Sequence, residues 1–250
     1  MTYEADFALT LLNHNKLLRN KNLLHWYRIS FTIQFNNTKD KTILEIGSGT
    51  SPVKLFYPDV ITSDVLRLPY LDYTFDCHEI DCFDKIPDGS VDIISLTNVL
   101  HHLKNPVQFI LNAHKKLNHS GYIVMTEPYL SVLSYFIYNF LHHELVDMSI
   151  EKPELKNISG PLSSANTALP YLLFLSDNSN WINEIKEIYT IEKNSIDYFT
   201  FISYFITGGI SHRFPIPLWF YKILFTIDRG LAKVFPKLFA SFFIIKLKKK

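Results

Sequence analysis

Between Thr42 and Glu127, short β-rich runs alternate with helical or turn segments, and this alternation restricts the possible folds more than any other feature of the chain. Thr42-Ile43-Leu44-Glu45-Ile46 leads into a Gly47-Ser48-Gly49 turn, and Val60-Ile61-Thr62-Ser63 ends at Asp64. Val91–Leu96 is an almost continuous apolar run, and Tyr122–Thr126 closes the series. Strands joined by helical crossovers pair in parallel through right-handed connections, so helices must cover both faces of the sheet. The run at 91–96 suits a central strand buried on both faces. Leu71, Tyr73 and Phe75 alternate with polar residues and predict another strand leading to Asp76-Cys77. Ser51-Pro52 can open a short helix that Pro58 ends, since serine caps and proline is tolerated at the first helical position.

Outside this core the pattern changes. Apolar residues at helical spacing over 1–34 predict one or two leading helices, and Tyr129–His143 reads as an aromatic-rich helix. Ile185–Glu192 and Phe199–Thr207 fit late strands, and residues 214–247 fit two helical pieces divided near Gly230. A length of 250 residues suits one α/β core with decorations. The domain is therefore expected over 1–210, with its motifs in 40–128, followed by an aromatic and basic helical extension at 211–250. A formal net charge of +1, without a basic stripe, argues against a nucleic-acid partner. Cys77 and Cys82 are the only cysteines and are expected as free thiols; Cys77-His78 lacks the paired spacing of a zinc motif, so no metal is expected. The amino end carries Glu4 and Asp6 and does not read as a secretory signal, which predicts a cytoplasmic protein. The uncharged stretches Tyr129–Leu141 and Tyr198–Ser211 are shorter than the ~20 residues that cross a bilayer.

The turn at Glu45–Ser51 carries the first chemical signal. Glycines there let the backbone pass close to a ligand, and a carboxylate at the end of the following strand, Asp64, stands where an adenosyl ribose would find its hydroxyl partner. The dinucleotide fingerprint requires a third glycine where this chain has Pro52, and Glu45 precedes the turn instead. A carboxylate at that point can accept from a cationic amino group, which S-adenosylmethionine has and a nicotinamide dinucleotide lacks.

With Ile43–Ser51, Ile61–Asp64, the segment PDGSVDIISLTNVLHHL at Pro87–Leu103 and LNHSGYIVMTE at Leu117–Glu127, the chain resembles the class I S-adenosylmethionine-dependent methyltransferases, particularly their type 11, small-molecule branch. The resemblance implies a Rossmann-like three-layer α/β/α sandwich. Its mostly parallel seven-stranded sheet would have strand order 3-2-1-4-5-7-6 and an antiparallel edge hairpin. It also implies that S-adenosylmethionine is the cofactor and assigns Glu45 to its amino group, Gly47, Ser48 and Gly49 to the passage of the chain, and Asp64 to the ribose. The adenine position is open between Asp76-Cys77 and Asp81-Cys82. Thr97 and Asn98, at the end of the central strand, are expected beside the methyl group. His101, His102 and Glu127 are candidate catalytic residues by position, with Tyr129 a further candidate base, and His142-His143-Glu144 could face the same cleft.

The acceptor signal is expected in the carboxyl half. The chain contains 20 Phe and 14 Tyr, crowded toward that half. Phe214–Phe225 and Leu231–Ile245 are aromatic-rich with Lys222, Lys233 and Lys237 among them, and the chain ends Lys246-Leu247-Lys248-Lys249-Lys250. Such helices can rest in a membrane interface with lysines reaching headgroups, so residues 214–250 predict peripheral contact at the inner face of the membrane and a small or lipid-linked acceptor. Two other readings compete: an NAD-dependent oxidoreductase, and a catalytically silent protein of the same fold serving as a membrane-associated assembly partner. The oligomeric state is left open.

Overall fold

The computed structural model describes residues 3–250 except 37, 39, 141–143, 157–159, 161–163, 177–179, 192–195 and 211–213. His142, His143, Ser159 and Pro161 therefore lie outside the described residues. Two helices lead, α1 (Tyr3–Leu18) and α2 (Lys21–Gln34). Asn20 caps the second: its side chain accepts the Leu23 N–H at 3.1 Å and donates to the Thr207 carbonyl at 2.9 Å, tying the cap to the late part of the chain. Leu23, Trp26, Tyr27, Ser30, Phe31 and Gln34 form the buried stripe of α2, at the spacing that one helix face requires.

The sheet begins with β1 (Ile43–Ile46), β2 (Ile61–Asp64), β3 (Tyr73–Thr74), β4 (Val91–Thr97) and β5 (Leu117–Pro128), all paired in parallel. It is completed by β6 (Tyr189–Thr190), β7 (Asp197–Phe199) and β8 (Phe242–Lys249). Its order is β3-β2-β1-β4-β5-β8-β6, with β7 paired to β8 beside β6. β8 runs antiparallel to β5, β6 and β7. This is the order that the resemblance implies, with the last strand standing between β5 and β6; the eighth strand arises because two short strands, β6 and β7, share the outer edge of β8. Beyond Ser51, whose Oγ accepts the Val53 N–H at 3.2 Å, the expected short helix is a single 3₁₀ turn at Val53–Leu55.

Helices cover both faces. α3 (Pro106–Ala113), α5 (Leu169–Phe174) and α6 (Ile182–Ile188) bring Phe109, Leu173 and Ile185 against Leu44, Ile94, Ile123 and Ile245. On the other face, α2 and α8 (Leu218–Val234) pack Trp26, Phe31 and Phe225 against Ile43, Ile93, Val124 and Ile244. Adjacent strand residues divide between the two cores, as a period of two requires. α4 (Val132–Phe140) and α9 (Pro236–Phe239) pack on each other, and α7 (Ile202–Ile206) follows β7.

The carboxyl end departs from the expected pair of helices. α8 passes through Gly230 without a break, and Phe242–Lys249 is a strand at the heart of the sheet. Short apolar runs do not distinguish helix from strand by periodicity, and the alternation of Phe242 and Ile244 with Phe243 and Ile245 is resolved only by burial on both faces. The terminal lysines are correspondingly engaged with the fold: Lys249 donates to the carbonyls of His114 and Leu117, at 2.9 and 2.7 Å, and Lys246 lies 5.0 Å from the Tyr122 ring centre. Of the expected late strands, 185–188 are helical and Tyr189-Thr190 are extended, with Glu192 outside the described residues; Phe199 ends β7, and α7 follows.

Because β8 is hydrogen-bonded on both sides, a chain ending at Phe239 exposes the β5 edge and strips β6 and β7 of their partner. We expect this truncation to abolish cooperative thermal unfolding followed by near-ultraviolet circular dichroism. A helical extension could be removed with the transition retained.

Candidate functional site

The carboxyl ends of β1, β2 and β4 open into one cavity of about 1930 Å³. This exceeds the roughly 300–1,000 Å³ of an ordinary small-molecule site. β1 carries Glu45, which is 1% exposed and is itself absent from the cavity wall, where its neighbours Ile46 and Gly47 stand. Its Oε1 accepts from Ser51 Oγ at 2.8 Å, while Oε2 is buried with no hydrogen-bond partner. Burial pushes the Glu45 carboxyl up to about 7 against the opposing effect of Ser48 and Ser51. An unsatisfied buried carboxylate oxygen is costly unless a donor or cation reaches it.

The turn after Glu45 requires glycine. Gly47 has φ +70°, and a Cβ there would sit 2.5 Å from a Val99 methyl. A Cβ on Gly49 would lie 2.8 Å from Asp64 Oδ2 and from Thr10 of α1. Ser48 turns inward, its hydroxyl donated to the Glu45 carbonyl at 3.1 Å, and it does not reach the cavity wall. Asp64 does reach it; the carboxylate accepts the N–H groups of Gly49 and Leu66, both at 2.9 Å, and burial raises it from its ordinary value despite those bonds.

After β3, Asp76 and Cys77 line the same cavity, whereas Asp81 does not; the Asp81 carbonyl meets Lys115 Nζ at 3.1 Å instead. Burial works against the Asp76 charge, but the His78 N–H and ring hold the carboxyl below its usual range, with His78 Nδ1 2.7 Å away. Burial pushes the Cys77 thiol up, so it is not a thiolate.

At the end of β4, Thr97 and Asn98 are on the wall. Asn98 has φ +57°, a left-handed conformation that asparagine tolerates, and its Oδ1 is buried without a hydrogen-bond partner. Glu127, at the end of β5, is completely buried and absent from the wall. Its Oε1 accepts the N–H groups of Val99 and Leu100 at 2.9 and 2.8 Å, and its Oε2 lies 2.7 Å from His101 Nδ1. Burial alone would lower His101, yet the Glu127 and Glu144 carboxylates outweigh it and raise the imidazole to about 10. In the metal-free protein these carboxylates therefore favour the imidazolium of His101, which has no lone pair with which to take a proton. His102 has the opposite fate: burial, then repulsion from His101, push it down to about 4. Its Nδ1 lies 2.9 Å from the Ser164 carbonyl, which assigns the ring proton to Nδ1 and leaves the Nε2 lone pair available.

Sequence reasoning missed Tyr27, read as an apolar helix position, which lines the cavity with Thr10 and Asn13 of α1. It also missed the apolar wall built by Tyr138, Ile202, Tyr204, Phe205 and Ile206. A helix pattern shows which residues share a face and not which end of the sheet that face overlooks, so these carried no recognisable signal. Tyr129, the other positional base, is buried and raised well above the ordinary phenol value by burial and by Tyr198 and Tyr171.

Comparison with known proteins agrees with this geometry. A family model described as "Methyltransferase domain" matches residues 20–190, more than half of the chain. A solved structure of an S-adenosylmethionine-dependent methyltransferase from Thermotoga maritima, described as a possible histamine N-methyltransferase, is 12% identical; the match covers 99% of this chain and 97% of that one with a TM-score of 0.54. A methyltransferase from Archaeoglobus fulgidus is 16% identical, with 92% and 95% covered and a TM-score of 0.49. No curated protein matches the chain.

The His101–Glu127 contact predicts a pH signature. The folded value of about 10 lies above the ordinary 6.5, so the contribution of His101 to stability is complete below pH 6.5 and is lost as pH rises toward 10. In metal-free buffer, the stability difference between wild type and His101→Gln in urea titrations should shrink across that window. Glu127→Ala, which leaves the buried imidazole only its 3.5 Å contact with Glu144 and strips the Val99 and Leu100 N–H groups of their acceptor, should cost about 3–5 kcal/mol at pH 7.

Proposed function

The chain belongs to the class I S-adenosylmethionine-dependent methyltransferases, and from that membership we propose that it methylates a hydrophobic or lipid-linked acceptor entering the cavity from its aromatic side. The observation that carries this reading is the continuity of the cavity, from Gly47 and Asp64 at one end to Tyr204, Phe205 and Ile206 at the other. The residues present fit the cofactor: the unpartnered Glu45 oxygen suits an ammonium, and Gly47, Gly49 and Asp64 line the cavity at the carboxyl ends of β1 and β2. In this proposal Glu45 holds the amino group, Asp64 the ribose hydroxyls, and Asp76 with Cys77 the adenine edge. S-adenosylmethionine supplies a methyl group already activated on a sulfonium, so the chain's task is alignment and exclusion of water. Thr97 and Asn98 shape the wall where acceptor and cofactor meet, and Glu127 acts as a positioning residue through His101 and the Val99-Leu100 backbone. Neither the dinucleotide oxidoreductase nor the silent assembly protein gains support from the comparisons.

Calorimetry with S-adenosylmethionine tests the cofactor half. Only the ionised Glu45 attracts the ammonium, and its value of about 7 makes affinity rise as pH climbs through 7, until the ligand's own α-amino group, ordinarily near about 7.7–8.0, begins to lose its proton. Glu45→Gln should flatten that profile and weaken binding at pH 8 by roughly 10- to 100-fold, the equivalent of one charged hydrogen bond. Unchanged binding by Glu45→Gln and by Asp64→Ala would remove the assignment.

A peripheral position on the cytoplasmic face of a membrane is favoured by the outer side of α8. Trp219, Ile223, Ile227, Leu231 and Val234 are exposed at helical spacing, with exposed Lys222, Lys233 and Lys237 nearby. Phe136 and Phe140 of α4 extend this apolar surface beyond α9. No helix among the described residues is long and apolar enough to cross a membrane, so contact would be interfacial. The protein should float with vesicles containing anionic lipid, and the triple variant Trp219→Glu, Ile223→Glu, Ile227→Glu should remain at the bottom while still binding S-adenosylmethionine. Sedimentation of folded wild type away from the vesicles would reassign this face to a protein contact.

A further inference from the structure

Both histidines after β4 spend one ring nitrogen on an oxygen and turn the other toward the same carboxylate. His101 Nδ1 is held by Glu127 Oε2 at 2.7 Å, and His102 Nδ1 by the Ser164 carbonyl at 2.9 Å. Their Nε2 atoms lie 3.5 and 3.7 Å from the two oxygens of Glu144. These separations are poor hydrogen bonds. They are close to the spacing of donors around a shared ion, since metal–ligand bonds of about 2.0–2.1 Å at tetrahedral angles place neighbouring donors about 3.3 Å apart. The three side chains offer donor atoms that all lie within 4.8 Å of one another, and all three line the cavity.

We propose that His101 Nε2, His102 Nε2 and the Glu144 carboxylate bind one divalent transition-metal ion, zinc by preference, at the acceptor end of the cavity. Two imidazoles and one carboxylate are a donor set suited to zinc, and three protein ligands leave a fourth position for water or substrate. The surroundings are those of a metal site: a buried carboxylate behind one imidazole and a main-chain carbonyl behind the other fix ring orientation and tautomer. Charge agrees as well, because the Glu127 and Glu144 carboxylates face two imidazoles that are neutral when ligating, and a dication balances them. Another trio, Asp76, Cys77 and His78, is also compact, but it differs in a decisive respect. Both ring nitrogens of His78 are committed, Nδ1 to Asp76 and Nε2 to the Asn105 N–H at 3.1 Å.

The use of this ion rests on the methyltransferase reading, although its binding does not. An ion at the acceptor end favours an acceptor with a coordinating oxygen, such as a hydroxyl, an enol or a carboxylate, beside the methylated atom.

The test uses the full chain without a histidine tag, stripped with chelator and titrated calorimetrically with Zn²⁺, with Co²⁺ as an absorption probe of tetrahedral geometry. S-adenosylmethionine binding is measured on the same preparations. We expect one equivalent of Zn²⁺ and intense visible Co²⁺ bands in wild type, both lost in His102→Gln and in Glu144→Gln, and both retained in His78→Gln. Glu127→Gln should weaken Zn²⁺ roughly 10- to 100-fold. Folded protein that binds S-adenosylmethionine but no Zn²⁺ would overturn the metal site and leave the methyltransferase reading intact. Zn²⁺ binding without the cofactor would do the reverse. Zn²⁺ binding that survives His102→Gln and Glu144→Gln but is lost in His78→Gln would place the ion at the other trio and also defeat the proposal.

Discussion

One buried carboxylate organises the cofactor side of the molecule. Glu127 leaves the end of β5 with no access to water and receives two backbone N–H groups and one imidazole nitrogen, all from the segment that follows β4. An ionised carboxylate is an acceptor alone, and a segment presenting several donors is one of the few settings in which it can be buried. The bonds bend the chain at Asn98 into the left-handed region and carry Val99 over the turn opposite. There its methyls occupy the space that a side chain on Gly47 would need. Glycine in the first turn and glutamate at the end of β5 are thus two requirements of one packing arrangement, although they are far apart in sequence.

A second polar arrangement keeps the leading helices on the sheet. Gln34, at the end of α2, donates to Thr97 Oγ1 and Thr126 Oγ1 at 2.9 Å and accepts from Ser95 Oγ at 2.7 Å, while Ser30 Oγ lies 2.9 Å from Thr126 Oγ1. Buried polar groups are tolerable when each finds a partner, and a fully paired set fixes position more narrowly than apolar packing does. That position matters because Tyr27, two turns earlier on α2, is placed on the cavity wall by it. The helices before the first strand are consequently part of the site.

These relations explain which parts of the molecule were legible in its sequence. Strands β1, β2, β4 and β5 could be read because each is bounded by turn residues and obeys a burial pattern visible in one dimension; that Gly47, Gly49 and Asp64 face a cavity could be read because each stands at or just beyond a strand end. β8 could not, since the lysines at Lys246 and Lys248–Lys250 suggested a solvent or membrane face. In the fold, Lys249 is drawn back to main-chain carbonyls between α3 and the start of β5. The convergence of His101, His102 and Glu144 was visible only as separate candidates, because the loop between α4 and α5 brings Glu144 back to the end of β4. Glu127 looked like a base because its sequence position points to the cleft. Its surroundings show why it faces the backbone instead.

The apolar wall of the cavity repeats the device used at the glycine turn. Asp228, on the inner face of α8, accepts the N–H groups of Phe201, Ile202 and Ser203 at 2.9, 3.1 and 3.0 Å, which fixes the start of α7 beside Thr200, a residue at φ +45°. α7 then supplies Ile202, Tyr204, Phe205 and Ile206 to the cavity. The outer face of the same α8 carries Trp219, Ile223 and Ile227. One helix therefore holds the apolar wall of the cavity with a carboxylate on one side and presents an apolar stripe on the other. A surface seated against that stripe would be joined to the cavity by a buried, fully hydrogen-bonded contact and not by a flexible loop. The proposed hydrophobic acceptor and the proposed interfacial location would then be aspects of a single structural arrangement.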